Sequence, residues 1–171
     1  MCLKIKADYF SESTFKVSNQ DVECYKLYIR KQNMWVTPFM NIPAPKLGEL
    51  RYSKEPFNIL GIHVNDKMET KSGIHSYLDI VSILMIILSN GVALVHSNPV
   101  VRRDIRIVKC VIPKGTRYLE GTTELGDSYS SEYLVDKEIV FQIDATANEA
   151  VDNMKKLLRF IKDSVQLNYF K

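Results

Sequence analysis

The sequence predicts an α+β domain: a mixed, mainly antiparallel sheet with one buried helix and a C-terminal covering helix. Three observations lead to this class. The segments Val22–Arg30 and Ile105–Ile112 have the two-residue period or the apolar run of strands. Residues 77–89 are apolar around nearly the whole circumference of a helix, and residues 144–171 carry an apolar stripe at helical spacing. We expect a single domain over residues 1–171, with residues 144–171 as its C-terminal amphipathic helix; the resemblance described below implies a family-like core over residues 1–143.

The composition is that of an ordinary globular domain. The chain has 171 residues, of which 46% are hydrophobic and 25% charged. A chain of this length can bury about 70% of its unfolded surface, so it needs no metal or disulfide to fold. The net charge of +3, from 23 basic and 20 acidic residues, is too small to indicate nucleic-acid binding.

The cysteines and the N-terminal segment indicate a cytoplasmic protein, or a host-cytoplasmic one if the protein is viral. Three cysteines in no paired spacing are typical of a reducing compartment. The first residues contain no apolar stretch long enough for a signal peptide. Residues 80–101 are uncharged and as long as a membrane span, but Ser89-Asn90-Gly91 divides them. We therefore expect a buried helix, a turn and a short strand there, with no membrane contact. The three histidines have no metal-ligand spacing.

The strand Val22–Arg30 separates two kinds of side chain. Tyr25, Leu27 and Ile29 share one face, and Cys24, Lys26, Tyr28 and Arg30 share the other. Ile105–Ile112 is apolar on both faces and is therefore expected to be a central strand. The later segments are predicted as a turn at Pro113–Thr116, a short strand at Arg117–Leu119, a polar loop at Gly121–Asp127 and a last strand at Glu138–Ile143.

The segment from Trp35 to Pro45 is rich in proline and also apolar. Three prolines within it prevent a regular central strand or helix. It nevertheless carries Trp35, Phe39, Met40 and Ile42. Two interpretations stay open: the segment packs over the core, or it forms part of a binding surface.

Capping residues set the expected helix ends. Ser76 is the expected N-cap of the helix over residues 77–89, and Asn90-Gly91 is its stop. Thr146 to Glu149 matches a capping box for the C-terminal helix. The basic stripe Lys155, Arg159 and Lys162 lies opposite the apolar one and is expected to be a solvated face, with phosphate binding as the alternative.

Three groups of residues are candidates for chemistry. His75 and Ser76 stand at a strand-to-helix junction, where they either belong to a catalytic site or orient backbone. Glu132, Asp136 and Glu138 follow a serine cluster and either act as general base or ribose ligand, or form a polar edge. Cys2 would be an N-terminal nucleophile if Met1 were removed, and otherwise is a free thiol.

Several motifs resemble a family of small, mostly uncharacterised proteins of bacteriophages and gut bacteria. The chain begins Met-Cys-Leu, and its most specific motifs are Gly73-Ile74-His75-Ser76 and the segment Lys109-Cys110-Val111-Ile112-Pro113-Lys114-Gly115-Thr116. The order of motifs is also distantly similar to the ADP-ribosyltransferase fold. That similarity implies Lys26 at the position of an NAD-gripping arginine, His75-Ser76 at the serine motif, and Glu132 or Glu138 at the glutamate.

The function is left open between three hypotheses. The first is a non-enzymatic, phage-type accessory protein, with anti-defence as one role, that needs no cofactor and binds a nucleotide-like ligand or a host protein. Its expected contact residues are Tyr25, Lys26, Trp35, Phe39 and Tyr118. The second is an ADP-ribosyltransferase-like enzyme that uses NAD, with His75, Ser76 and either glutamate in its site. The third is a structural or virion-associated protein. A homodimer is compatible with each.

Overall fold

The described part of the chain is mostly antiparallel β-sheet, curled into a half-barrel. The computed structural model describes residues 2–83, 104–123, 126–143, 155–156, 159–160 and 162–164. The α+β prediction is wrong, because antiparallel strands dominate and the helical segments among the described residues are short. The strands are β1 Leu3–Ile5, β2 Lys16–Val17, β3 Val22–Lys31, β4 Met34–Val36, β5 Leu50–Tyr52, β6 Glu69–Thr70, β7 Ile74–Tyr77, β8 Ile105–Ile112, β9 Arg117–Thr123, β10 Gly126–Ser131 and β11 Tyr133–Ile143, and a 3₁₀ turn spans Glu12–Thr14.

The strands form one continuous ladder in the order β5-β11-β8-β3-β7-β10-β9-β1-β6. Strand β4 pairs with the end of β3, and β2 pairs with β9. The recorded pairings are antiparallel throughout. Strand β8 lies between β3 and β11, which confirms the central strand predicted from its two apolar faces.

The strongest local patterns are confirmed, and the polar segments between them are not. Strands β3 and β8 begin and end within one residue of the prediction. The expected polar loop over Gly121–Asp127 is wrong at both ends, since its first residues continue β9 and its last residues begin β10. Pairing between β9 and β10 supplies the backbone hydrogen bonds that allow polar residues to be extended there.

The helix expected over residues 77–89 begins later than predicted. Ile74–Tyr77 forms β7, whose pairing with β10 holds it extended, so Ser76 is not a helix cap. Asp79 takes that role: its carboxylate accepts a hydrogen bond from the Ser82 amide at 2.7 Å, and residues 80–83 are helical. Residues 84–103, with the expected stop and short strand, lie outside the described residues.

The C-terminal segment is described at a few helical positions. Lys155, Arg159 and Lys162 are exposed there, which confirms a solvent-facing basic stripe. Phe160 stacks on Phe141 of β11 with ring centroids 4.6 Å apart. The capping box from Thr146 to Glu149 lies outside the described residues. In the part of the chain that can be assessed, no helix combines the length and apolarity needed to cross a membrane.

The two faces of the β3–β8–β11 sheet differ in character. One face is apolar, built on Leu27, Ile107 and Ile143, with the helical residue Ile83 packed on it at 0% exposure. The other face carries Cys24, Tyr28, Cys110 and Leu134. A third cluster around Leu3, Phe15 and Leu119 fills the far end of the sheet. The chemistry-bearing side chains therefore collect on the second face.

Candidate functional site

A buried polar cluster crosses the centre of the sheet. Cross-strand register places Cys24 of β3 beside Cys110 of β8, and Cys110 beside Asp136 of β11. Arg51 reaches the same point from the edge strand β5. We define the buried polar cluster as these residues and their neighbours on the same face: Cys24, Lys26, Tyr28, Arg51, Ser76, Cys110 and Asp136.

Asp136 is the centre of the cluster. It is 1% exposed, and its two carboxylate oxygens accept three hydrogen bonds. Tyr28 donates its hydroxyl at 2.6 Å, the Arg51 guanidinium donates at 2.6 Å, and the Cys110 thiol donates at 3.4 Å. One charged donor and two neutral donors thus meet the hydrogen-bonding needs of this buried carboxylate within the interior. The alternative of a polar edge is therefore wrong for Asp136.

The two buried thiols are protonated at neutral pH. Burial raises the pKa of Cys24 to about 12, against a smaller lowering by Ser76, which lies beside it. Burial and the Asp136 carboxylate raise the pKa of Cys110 further still. Since the thiolate is the nucleophile, neither cysteine is activated for attack.

Lys26 is the unusual charge in this interior. It is 7% exposed, and its ammonium donates a hydrogen bond to the His75 carbonyl oxygen at 2.8 Å. Burial, with a smaller effect of the Arg51 charge, lowers the pKa of Lys26 to about 8. Lys26 thus ties β3 to β7 instead of facing solvent.

His75 and Ser76 are held by the same strand pairing. The His75 ring nitrogen Nε2 lies 3.1 Å from the Ser72 carbonyl oxygen, and burial together with Lys26 lowers the pKa of His75 to about 4. Ser76 is 1% exposed, directly beside Cys24. The imidazole is therefore neutral at pH 7, and both residues serve the interior of the sheet.

The two candidate glutamates lie apart from this cluster. Glu132 stands in the turn between β10 and β11, with a carboxylate oxygen 4.0 Å from the Arg117 Nε. Glu138 is exposed on β11, opposite Lys109. Contacts in the described chain join Lys26 to His75 but join neither glutamate to them. The described residues also hold no group of three or more His, Cys, Asp or Glu placed to bind a metal.

The two candidate tyrosines are occupied in packing or pairing. Tyr25 is half-buried, and its hydroxyl donates to the Glu23 carboxylate. The ring of Tyr118 packs edge-on against Tyr129 with centroids 5.5 Å apart. Both tyrosines therefore contact neighbouring side chains of the sheet.

The Trp35–Pro45 segment has a packed base and an exposed tip. At the base, Val36 is 3% exposed and the half-buried Trp35 lies under the Arg106 guanidinium, whose carbon is 4.1 Å from the ring centroid. At the tip, Phe39, Met40 and Ile42 are 43%, 67% and 42% exposed. The nearby Met34 on β4 is 52% exposed. We call Met34, Phe39, Met40 and Ile42 the apolar hairpin surface.

Backbone hydrogen bonds hold this tip in one shape. The Thr37 amide donates to the Ile42 carbonyl at 2.9 Å, and the Asn41 amide donates to the Thr37 carbonyl at 3.1 Å. Asn41 takes the left-handed backbone with φ 52°, which asparagine tolerates better than most residues. The Ala44 amide closes the base on the Trp35 carbonyl at 2.8 Å. The apolar side chains are therefore displayed on an ordered turn.

Sequence reasoning found the hairpin segment and missed the cluster. The sequence pattern indicates candidate roles for Lys26, Ser76 and Asp136 separately. It indicates none for Tyr28, Arg51 or Cys110, and it does not bring the residues together. The polar alternation in Val22–Arg30 was the signal that could have indicated a polar interior, but the partners of those side chains come from β5, β7 and β11.

Comparison with known proteins adds no relative. Neither protein-family models, nor curated proteins, nor solved structures give a match to this chain. The fold and the two features above define its class: an antiparallel β domain with a closed polar interior and an exposed apolar hairpin.

Proposed function

We propose that this chain is a non-enzymatic binding module that docks on another protein through its apolar hairpin surface. The observation that carries the proposal is the exposure of Phe39, Met40 and Ile42 on a hydrogen-bonded turn. Clustered apolar exposure of this kind marks interaction sites in soluble proteins. A turn that is already ordered loses little conformational entropy on binding.

The positions and contacts of the candidate catalytic residues favour binding over catalysis. Lys26 is buried and His75 is half-buried, both make hydrogen bonds within the sheet, and Glu132 and Glu138 are not brought to them. A catalytic set must reach a common substrate atom at hydrogen-bond distance. On the phage-type hypothesis, the partner would be a host protein in the cytoplasm.

Affinity capture with matched variants tests this proposal. The double variant Phe39→Ser/Met40→Ser removes apolar area at exposed positions, so its fold is expected to be retained. Leu60→Ser is the control, because Leu60 is 89% exposed elsewhere on the chain. We expect the wild type and Leu60→Ser to capture one protein that the double variant does not capture. Once purified, that protein should form a stoichiometric complex with the wild type. Equal capture by all three would contradict the proposal.

A second experiment tests the enzyme alternative directly. The purified protein is incubated with NAD, and the products are followed by mass spectrometry. We expect no turnover. NAD cleavage that Glu132→Gln or Glu138→Gln abolishes would establish the ADP-ribosyltransferase-like activity and remove the non-enzymatic proposal.

A further inference from the structure

The apolar hairpin surface lies in a stretch of chain that carries positive charge alone. Residues 24–48 contain no Asp or Glu. Their basic residues are Lys26, which is buried, and Arg30, Lys31 and Lys46. Of these, Lys31 and Lys46 are exposed. The first acidic residue beyond the stretch is Glu49, whose carboxylate accepts a hydrogen bond from the Lys46 amide.

The position of Lys31 brings this charge to the hairpin itself. Register pairs Lys31 directly with Met34, which belongs to the apolar surface. The Lys31 ammonium lies 3.3 Å from the Asn41 side-chain oxygen, beside the exposed Met40. An ammonium bound only to a neutral amide keeps its full charge available to a partner.

Two arginines lie near Trp35 at the base of the hairpin. The Arg106 and Arg30 guanidinium carbons lie 4.1 and 5.8 Å from the Trp35 ring centroid. The exposed Lys31 pairs with Met34, and the exposed Lys46 follows Ala44, whose amide closes the base of the hairpin. We call these two lysines the basic rim.

We propose that the partner of this surface is an acidic segment of a protein that carries apolar anchor side chains. This inference rests on the proposed function and adds the chemistry of the partner. Apolar anchors would cover Phe39, Met40 and Ile42, while carboxylates at the edge would meet Lys31 and Lys46. Complementary rim charges of this kind raise the association rate and exclude basic competitors.

Two other occupants fit the charges less well. A second copy of this chain in a two-fold dimer would bring the same patch against itself, so the basic rims would oppose each other. An anionic membrane surface is recognised by clusters of about four to eight basic residues, whereas this rim has two.

Selection from a random linear peptide library tests the proposal with a defined probe. Wild-type protein is immobilised, and enriched peptides are sequenced and resynthesised for affinity measurement. We expect enriched peptides with net negative charge and at least one large apolar residue. Their affinity should fall about tenfold in Lys31→Glu/Lys46→Glu and on raising the salt concentration. The matched control Lys67→Glu/Lys114→Glu reverses two exposed lysines elsewhere and should change affinity less than about twofold.

The outcomes separate this inference from the proposed function. Enrichment of neutral or basic peptides that Phe39→Ser/Met40→Ser no longer binds would overturn the acidic partner and keep the binding module. The absence of any enrichment that depends on the hairpin would overturn both. Binding to phosphatidylserine vesicles, or concentration-dependent self-association, that is lost in Lys31→Glu/Lys46→Glu would assign the surface to a membrane or to a second copy, and would overturn the inference.

Discussion

Replacing the buried Lys26 by methionine should make the protein more stable at neutral pH. Methionine has a similar length and no charge, so it fills the same space without the cost of burying an ammonium. Replacement of buried charges by apolar residues of similar volume is often stabilising. The difference in the free energy of unfolding between Lys26→Met and the wild type therefore measures the cost of burying the Lys26 ammonium.

The size of the effect follows from the pKa of Lys26. Burial lowers it from 10.5 to about 8 in the folded chain. Each pKa unit corresponds to 1.36 kcal/mol, so the charged form costs about 3 kcal/mol more in the folded state than in the unfolded state. Methionine also loses the hydrogen bond to the His75 carbonyl, which contributes about 1 kcal/mol. A net gain of about 2 kcal/mol is expected at pH 7.

The same argument fixes the sign of the pH dependence. Between pH 8 and 10.5 the folded chain releases the Lys26 proton while the unfolded chain keeps it. Because the unfolded state then binds more protons, the Lys26 contribution to stability rises with pH in this window. The buried cysteines act in the opposite direction above pH 9, since their pKa values are raised on folding. The difference between the variant and the wild type isolates Lys26. This difference should fall by about 3 kcal/mol from pH 7 to 10.5, from about 2 kcal/mol in favour of the variant to about 1 kcal/mol in favour of the wild type.

Urea unfolding followed by the fluorescence of the single tryptophan, Trp35, gives the free energy of unfolding at each pH. Lys137→Met is the matched control, because Lys137 is exposed on β11 next to Asp136. Its difference from the wild type should stay nearly constant across the same pH range. A Lys26→Met difference that is equally flat, or a variant less stable than the wild type at pH 7, would refute the reasoning.

Three further predictions concern the same interior. Asp136→Asn should lower the free energy of unfolding by about 3 to 5 kcal/mol in urea titrations, because it leaves the part-buried Arg51 guanidinium without its carboxylate. Protonation of His75 should destabilise the fold by about 3 kcal/mol as pH falls from 6.5 to 4, since folding lowers its pKa to about 4, and His75→Gln should flatten this part of the curve. Ellman's reagent should modify Cys2 alone in the folded protein, and Cys24 and Cys110 only after unfolding in urea. Mass spectrometry of peptides identifies the modified cysteines. Fast modification of Cys24 or Cys110 in the folded protein would contradict the closed interior.

Local sequence patterns predicted an element correctly where neighbouring residues alone favour its backbone conformation. The alternation in Val22–Arg30 and the apolar run Ile105–Ile112 predicted β3 and β8, and Pro113–Thr116 forms the predicted turn, closed by the Thr116 amide on the Pro113 carbonyl at 3.1 Å. Gly115 takes φ 83° in this turn, a conformation that glycine adopts without strain. Such features depend on neighbouring residues and can therefore be predicted from the sequence.

The segments that were predicted wrongly depend on distant partners. No element was predicted for the serine cluster Ser128–Ser131, yet Ser130 and Ser131 are 0% exposed on β10. Their hydroxyls donate to the carbonyls of Ser72 and Ile74, so burial leaves neither of these two hydroxyls without a partner. The expected early start of the helix at residue 77 failed for the same reason, because pairing with β10 holds β7 extended through Tyr77.

The sequence by itself determined the two central strands, the turn after β8, the solvent-facing basic stripe and the apolar character of the hairpin segment. The tertiary structure alone decided that Phe39, Met40 and Ile42 face solvent while Trp35 and Val36 pack. It also decided that Asp136 is the centre of a closed cluster instead of part of a polar edge. Burial and hydrogen-bond partners are properties of strand order and register, which join residues far apart in the chain and leave no local pattern to recognise.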